Sequence, residues 1–334
     1  MTVGRDAHTA TLLLDGRVLI AGGESSGDDR TAELYDPATG SFSPTGSLTV
    51  GRVDSTATLL ADGRVLIAGG MGSQSEIASA ELYDPATGTF SATGSMSRPL
   101  VFQTATLLKD GRVLITGGRD ADAVHDAELY DPATGTFTPT GSMTQARIFH
   151  TATLLRDGRV LIAGGNFDSS TELYDPATGT FTPTGSMTIN QEHVATLLSD
   201  GRVLVAGDVA ELYDPATGKF TPTGSMLGSC NCMGSIGSSS TAPLLSDGRV
   251  LVPDTNLDAS SNQVVGSAEL YDPASGTFSQ TDPMSRYRLG FTDTLLADGR
   301  VLFAGDQGPL CAMACPSMSP DDDADRASAE LYVP

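Results

Sequence analysis

Short apolar runs alternate with turn-forming residues along the whole chain, and no stretch shows the three-to-four-residue spacing of an amphipathic helix. One unit shows the pattern. Thr151 to Leu155 is apolar and β-prone. Asp157-Gly158 follows, and Asp-Gly between two apolar runs predicts a tight hairpin, because the turn requires positive φ. Arg159 to Ala163 is a second predicted strand, ended by Gly164-Gly165, where the backbone turns without a Cβ. Thr171 to Tyr174 is the third. Asp175-Pro176-Ala177-Thr178-Gly179 is a turn in which proline sets φ and glycine closes the bend, and Thr180-Phe181-Thr182 is the fourth strand. These strands are labelled A to D.

The unit repeats. Asp-Gly-Arg-Val-Leu starts at Asp15, Asp62, Asp110, Asp157, Asp200, Asp247 and Asp298, and Glu-Leu-Tyr at Glu33, Glu81, Glu128, Glu172, Glu211, Glu269 and Glu330. A period near 47 residues signals a repeat architecture. A four-stranded sheet repeated seven times buries both faces only by packing on its neighbours, and radial packing gives a propeller, whereas hairpin-linked units of this length make poor solenoid coils. The predicted fold is therefore all-β, a seven-bladed β-propeller of four-stranded antiparallel blades. Its units run approximately over 1–48, 49–96, 97–143, 144–187, 188–226, 227–284 and 285–334 of one domain. The double glycine after strand B, the tyrosine of strand C and the aromatic of strand D resemble the Kelch family over nearly the whole chain. The strand D aromatic, typically tryptophan in that family, is phenylalanine here (Phe42, Phe90, Phe137, Phe181, Phe220, Phe278).

The first residues, Met1-Thr2-Val3-Gly4-Arg5, align with the interior Met143-Thr144-Gln145-Ala146-Arg147, so the chain starts in mid-repeat. The last unit stops at Glu330-Leu331-Tyr332-Val333-Pro334 without an outer strand D. The expectation is a monomer whose strand C edge near Ser328 to Leu331 is open to pairing with another chain. No apolar run approaches membrane-spanning length. The net charge is −22, and most of it comes from the repeat: the hairpin aspartates, the strand C glutamates and the Asp that follows Tyr outnumber the hairpin arginines. Such acidity argues against nucleic acid and anionic membrane as partners. The hairpin arginines (Arg17, Arg64, Arg112, Arg159, Arg202, Arg249, Arg300) and the seven glutamates read as repeated framework pairs.

Antiparallel alternation puts the A–B hairpins and C–D turns on one face, and the B–C loops and blade-linking D–A segments on the other. The first face is uniform. The second carries the variation, and loops on a rigid scaffold are where binding usually resides. Blades 1 to 4 are regular, and blades 5 to 7 are not. The blade 5 B–C loop shrinks to Asp208-Val209-Ala210. Asp254-Thr255 replaces the glycine pair in blade 6, and Asp306 takes the second glycine position in blade 7. Asp208, Asp254 and Asp306 are read as capping strand B. Asp293 replaces the small alanine of strand A, Glu192 and His193 lie at the blade 5 rim, and Arg286, Tyr287 and Arg288 lie on the blade 6 to 7 link. Carboxylates and a histidine above a cleft of this kind suit a binding site, or acid and base groups acting on a glycan.

His8, His150 and His193 each stand seven residues before a hairpin Asp, at the start of strand A. They serve either as structural hydrogen-bonding groups or as metal ligands. The segment from Arg147 to Val160 resembles one in the galactose and glyoxal oxidases that supplies adjacent Tyr and His copper ligands, but Phe149 stands at the Tyr position and cannot ligate. All four cysteines lie in two insertions, Cys230 and Cys232 after blade 5, Cys311 and Cys315 in the blade 7 B–C loop. Crossed disulfides would staple the two loops and imply an oxidising, extracellular compartment. A four-thiolate zinc site is the rival, although the spacing departs from C-x₂-C. Asp321, Asp323 and Asp325 alternate like the start of a calcium loop, without its glycine and terminal glutamate, so Ca²⁺ is the one cofactor suggested. The sequence thus points to a secreted recognition module that binds a protein or carbohydrate over blades 5 to 7. A polysaccharide-acting enzyme at the same place is the alternative, and a copper radical oxidase comes behind it.

Overall fold

A computed structural model describes residues 1–25, 29–73, 75–188, 190, 193–207, 209–227, 242–258, 263–285, 288, 290–305 and 327–334. No helix occurs among them, and the strands group into seven antiparallel blades. Blade 4 is representative: Thr151–Leu154, Val160–Ala163, Thr171–Asp175 and Thr180–Pro183 pair in sequence order. Blades 1, 2, 3 and 5 repeat this order. In blade 6 the innermost segment is held by a bridge from Leu244 to Val250. Blade 7 has three strands, Thr292–Leu295, Val301–Ala304 and Ala329–Tyr332.

Burial explains why strand B is nearly all apolar. Val160, Leu161, Ile162 and Ala163 are all buried, because both faces of the blade pack on neighbours. Burying a side chain such as Leu161 contributes about 1.5–3 kcal/mol. One apolar cluster fills each interface between consecutive blades. A further cluster joins Val18, Ile20 and Tyr35 of blade 1 to Leu296, Leu302 and Ala304 of blade 7, which closes the ring. Neighbouring A strands pack against one another, so strand A is innermost.

Polar latches repeat with the core. Within a blade, Tyr174 packs on Phe181 with ring centroids 4.8 Å apart, a spacing that phenylalanine satisfies without the larger indole. Between blades, the Tyr174 hydroxyl lies 2.9 Å from Thr140 Oγ1, and the Gly141 amide donates to Gly179 O at 2.9 Å. The hairpin arginines do not pair with the strand C glutamates, contrary to the sequence expectation. Arg159 Nη2 meets Asp157 of its own turn at 2.7 Å, and the other hairpins repeat the pairing. The register decides this. Glu172 lies opposite Ile162, toward the D–A end of the blade, while Arg159 precedes Val160 at the hairpin end.

Candidate binding face

The strand C glutamates meet a different set of partners on the D–A side. Each accepts the backbone amide of the residue after the link methionine or leucine: Thr144 N donates to Glu172 at 2.8 Å, Thr49 N to Glu81 at 2.7 Å and Ser285 N to Glu330 at 3.0 Å. In four blades a buried link arginine joins them, as Arg5–Glu33 at 3.0 Å, Arg52–Glu81 at 3.1 Å, Arg147–Glu172 at 3.2 Å and Arg288–Glu330 at 3.2 Å. The guanidinium spends its remaining donors on the base of the B–C loop. Arg147 Nη1 donates to Gly164 O at 2.6 Å and Ser170 O at 3.0 Å, and Nη2 to Ser170 Oγ at 2.7 Å. Five donors in a planar fork suit this clamp better than a lysine would. Burial lowers the Arg5 and Arg52 pKa values. Burial works to raise that of Glu33, but the Thr2 amide and hydroxyl and Arg5 outweigh it and hold the carboxyl below its ordinary range. Arg288, expected on the binding rim, is 1% exposed and belongs to this clamp. The signal was present in the sequence: Arg5, Arg52, Arg147 and Arg288 each stand four residues after a link methionine or leucine.

The histidines occupy the interfaces between strands A. His150 Nε2 lies 3.0 Å from Thr104 Oγ1 and 3.1 Å from Thr116 Oγ1 of the preceding blade. His8 Nε2 lies 3.0 Å from Thr292 Oγ1, and His193 Nε2 3.2 Å from Thr151 Oγ1. Gln103 does the same service in blade 3, donating to Ala68 O at 2.9 Å. These side chains also crowd the first glycine of the pair in blades 2, 3 and 4. A Cβ at Gly117 would stand 2.7 Å from His150 Cε1, and one at Gly164 2.5 Å from His193 Cε1. Burial, reinforced by Arg5 and Arg147 respectively, lowers the His8 and His150 pKa values to about 3. Each imidazole is neutral inside its own interface, and His193, expected on the rim, is 3% exposed in the same setting.

The B–C side of the propeller is where the blades diverge. Strand B of blade 5 ends at Ala206 and strand C begins at Ala210, with the Gly207 amide bonded to Val209 O at 3.1 Å. Beside it, the blade 6 strands lengthen to Val250–Asp258 and Gln263–Asp272. Asp254 therefore does not cap strand B. It lies in mid-ladder opposite Ser267, because the pairing continues to Asp258↔Gln263. Asp293 is in strand A of blade 7 opposite Phe303, as its sequence position indicated, 7% exposed and engaged by its surroundings. Glu192, Asp208, Arg286, Tyr287, Asp306, the four cysteines Cys230, Cys232, Cys311 and Cys315, and the acidic Asp321, Asp323 and Asp325 lie outside the described residues. Among the described residues no three His, Cys, Asp or Glu side chains are placed to hold a metal ion.

The Kelch motif model matches residues 103–144, the blade 3 repeat. That match covers one of seven like blades closed in a ring, so the chain is a seven-bladed β-propeller that carries a Kelch motif, which supports a Kelch-repeat propeller. Kelch propellers as a class mediate protein interactions. No curated protein matches the chain. Among solved structures it is similar to a fungal alcohol oxidase of the AA5 family in complex with copper, at 19% identity and a TM-score of 0.71, over 93% of this chain and 72% of that one. At that identity the likeness shows the fold alone. The segment that resembles the copper oxidases does not offer the expected pair of ligands here. Phe149 takes the place of the tyrosine, and His150 is committed to two threonines.

Proposed function

We propose that this Kelch propeller is a recognition module that holds a protein or glycan partner on its B–C/D–A face over blades 5 to 7. The observation that supports the reading is the step between blades 5 and 6. The blade 6 ladder continues from Asp254↔Ser267 to Asp258↔Gln263 beyond the level at which blade 4 stops. At about 3.3 Å per residue, that arm stands roughly 15 Å above the short blade 5 connection. A wall beside a gap forms a cleft that presents backbone and side-chain groups on one side. Glu192, Asp208, Arg286, Tyr287 and Asp306 belong to this sector by sequence and supply its polar groups in this reading. The four cysteines in two insertions support an oxidising, extracellular compartment in this reading, and reduction is expected to add four hydrogens to the mass, as two disulfides require. Calcium is proposed for Asp321, Asp323 and Asp325, tested by isothermal titration with CaCl₂.

The test replaces residues 254–267 by the seven-residue blade 4 connection, residues 164–170. Wild type and variant are compared on a glycan microarray and against a random-peptide phage library, with folding checked by circular dichroism. Ligands selected by wild type are expected to lose at least about tenfold in affinity for the variant, which is about 1.4 kcal/mol. Equal binding by both proteins, or no ligand for either, would overturn the reading. Release of product from a bound glycan would replace it with the enzyme alternative.

A further inference from the structure

We propose that Phe149, with Phe102 beside it, is a binding site for the guanidinium or ammonium group of a basic peptide segment in a protein partner. It lies on the same face as the blade 5 to 6 cleft but on blades 3 and 4, and it does not rest on that reading. The residue leading into strand A has left-handed backbone in blade after blade: φ is 47° at Ala7, 51° at Asp54, 60° at Phe102, 56° at Phe149 and 62° at Gly290. The Ala7 amide donates to Gly290 O at 3.0 Å, and the Asp54 amide to Ala7 O at 3.0 Å, so these residues step from blade to blade around the mouth of the propeller. The fold demands positive φ there. Gly290 meets the demand without strain, whereas a phenylalanine meets it against its Cβ. Bulky groups held in that conformation direct attention to what the side chains do.

The two side chains are in contact, with ring centroids 4.5 Å apart and planes inclined by 42°. Phe149 is 37% exposed. Phe102 already carries a cation from the same chain, since Arg119 Cζ stands 5.5 Å from its ring centroid. One member of the pair thus bears a guanidinium, and its neighbour presents an aromatic surface of the same kind to solvent. A ring face attracts a cation through its quadrupole. The charge around the pair has the matching sign. Asp54 belongs to the same mouth, and Glu76, Asp120 and Asp122 lie in the B–C loops of blades 2 and 3. Arg119 offsets only part of this, approaching Glu76 at 3.7 Å. With a net charge of −22, the chain draws cationic segments toward this mouth and repels anionic ones.

The test uses full-length protein with ¹³C-labelled phenylalanine rings. It is titrated with the peptide Gly-Arg-Gly-Arg-Gly-Arg, with the same peptide carrying neutral citrulline for arginine, and with cellohexaose. The arginine peptide is expected to shift the Phe149 and Phe102 resonances, and the citrulline peptide and the sugar to leave them in place. Phe149→Leu keeps the apolar bulk and loses the ring face, and is expected to weaken the peptide by roughly threefold to tenfold. Phe149→Gly relieves the backbone and is expected to lose the peptide while keeping or raising the urea midpoint, which separates lost binding from lost folding. The protein carrying the blade 4 connection in place of 254–267 is expected to bind the peptide as wild type does. Equal shifts with citrulline, shifts with cellohexaose, undiminished binding by Phe149→Leu, or no shift with the arginine peptide would each overturn the proposal. Loss of the peptide in the 254–267 variant would move the site to the cleft and overturn it as well.

Discussion

Blades 3 and 4 are neighbours with the same strand order, and they hold the same buried carboxylate in two ways. In blade 4, Glu172 accepts from Thr144 N and from Arg147, and the arginine ties the B–C loop to the blade. In blade 3, Leu100 occupies the arginine's place and joins the apolar cluster between blades 2 and 3, while Glu128 retains Ser97 N at 2.9 Å and the Ser97 hydroxyl. The backbone role is unchanged. Leu100 O accepts from Gly70 N at 2.8 Å just as Arg147 O accepts from Gly118 N at 2.8 Å. The link between blades therefore rests on the main chain and the glycines, and the buried ion pair is an addition that some blades carry. Blade 3 also uses Gln103 where blade 4 uses His150.

Removing the carboxylate should separate the two blades most sharply. Glu172→Ala strands a fully buried guanidinium, and a stability loss of about 3–5 kcal/mol is expected in urea denaturation at pH 7.5. Glu128→Ala strands no cation, and about 1–3 kcal/mol is expected. Equal losses would show that Arg147 adds nothing beyond the link amides.

The next contrast is in pH. The His150 pKa falls from 6.5 to about 3 on folding because burial disfavours the imidazolium. Below pH 6.5 the unfolded chain takes up a proton that the folded chain refuses, so stability falls with decreasing pH from 6.5 toward 3 and is flat above 6.5. The slope is about 1.4 kcal/mol per pH unit for each such histidine. His150→Gln imports the blade 3 solution and should remove one such slope, while His8 keeps its own. The carboxylates add to the acid loss at lower pH. Glu33 and Glu330 titrate below their ordinary values, so their contribution is fully present above those ordinary values and is lost as pH falls from them through the lowered ones. Denaturation midpoints of wild type and His150→Gln between pH 7.5 and 5 measure this, and parallel curves would refute it.

Smaller effects serve as controls. Thr93→Val and Thr140→Val each remove a hydrogen bond to the next blade's tyrosine, both at 2.9 Å. About 1 kcal/mol is expected from either. Arg112→Ala and Arg159→Ala break exposed hairpin pairs of matching geometry. Thermal melts should show less than about 1 kcal/mol in both, reduced further by salt.

Much of the propeller was legible before any coordinates. Asp157-Gly158, Gly164-Gly165 and the Tyr174–Phe181 pair are short-range signals whose geometry is set by neighbouring residues, and each was read to its correct strand or turn. The site was less legible. In sequence, His193 and Arg288 are candidate binding groups at the blade 5 rim and on the blade 6 to 7 link, yet both are buried, and for His193 the structural hydrogen-bonding reading is the one that holds. Asp254 looked like a cap because it replaced a glycine, but the ladder runs through it. A residue's deviation from a repeat marks where the chain differs and carries no information about which way its side chain faces.

The sequence alone determined the number of blades, the order of strands and the identity of the turns, because hairpins and alternating strands are local and every unit restates them. It also contained the link arginines and the strand C glutamates, but not their pairing, since partners such as Arg147 and Glu172 meet only when the D–A link lies across the start of strand C. The tertiary structure decided that the hairpin arginines belong to their own aspartates, that blade 6 raises an arm beside a short blade 5 connection, and that Phe102 and Phe149 touch at the mouth. The hairpin pairs and the blade 6 arm are set by turn geometry and strand register within one repeat, and the Phe102–Phe149 contact by the packing of neighbouring blades around the ring.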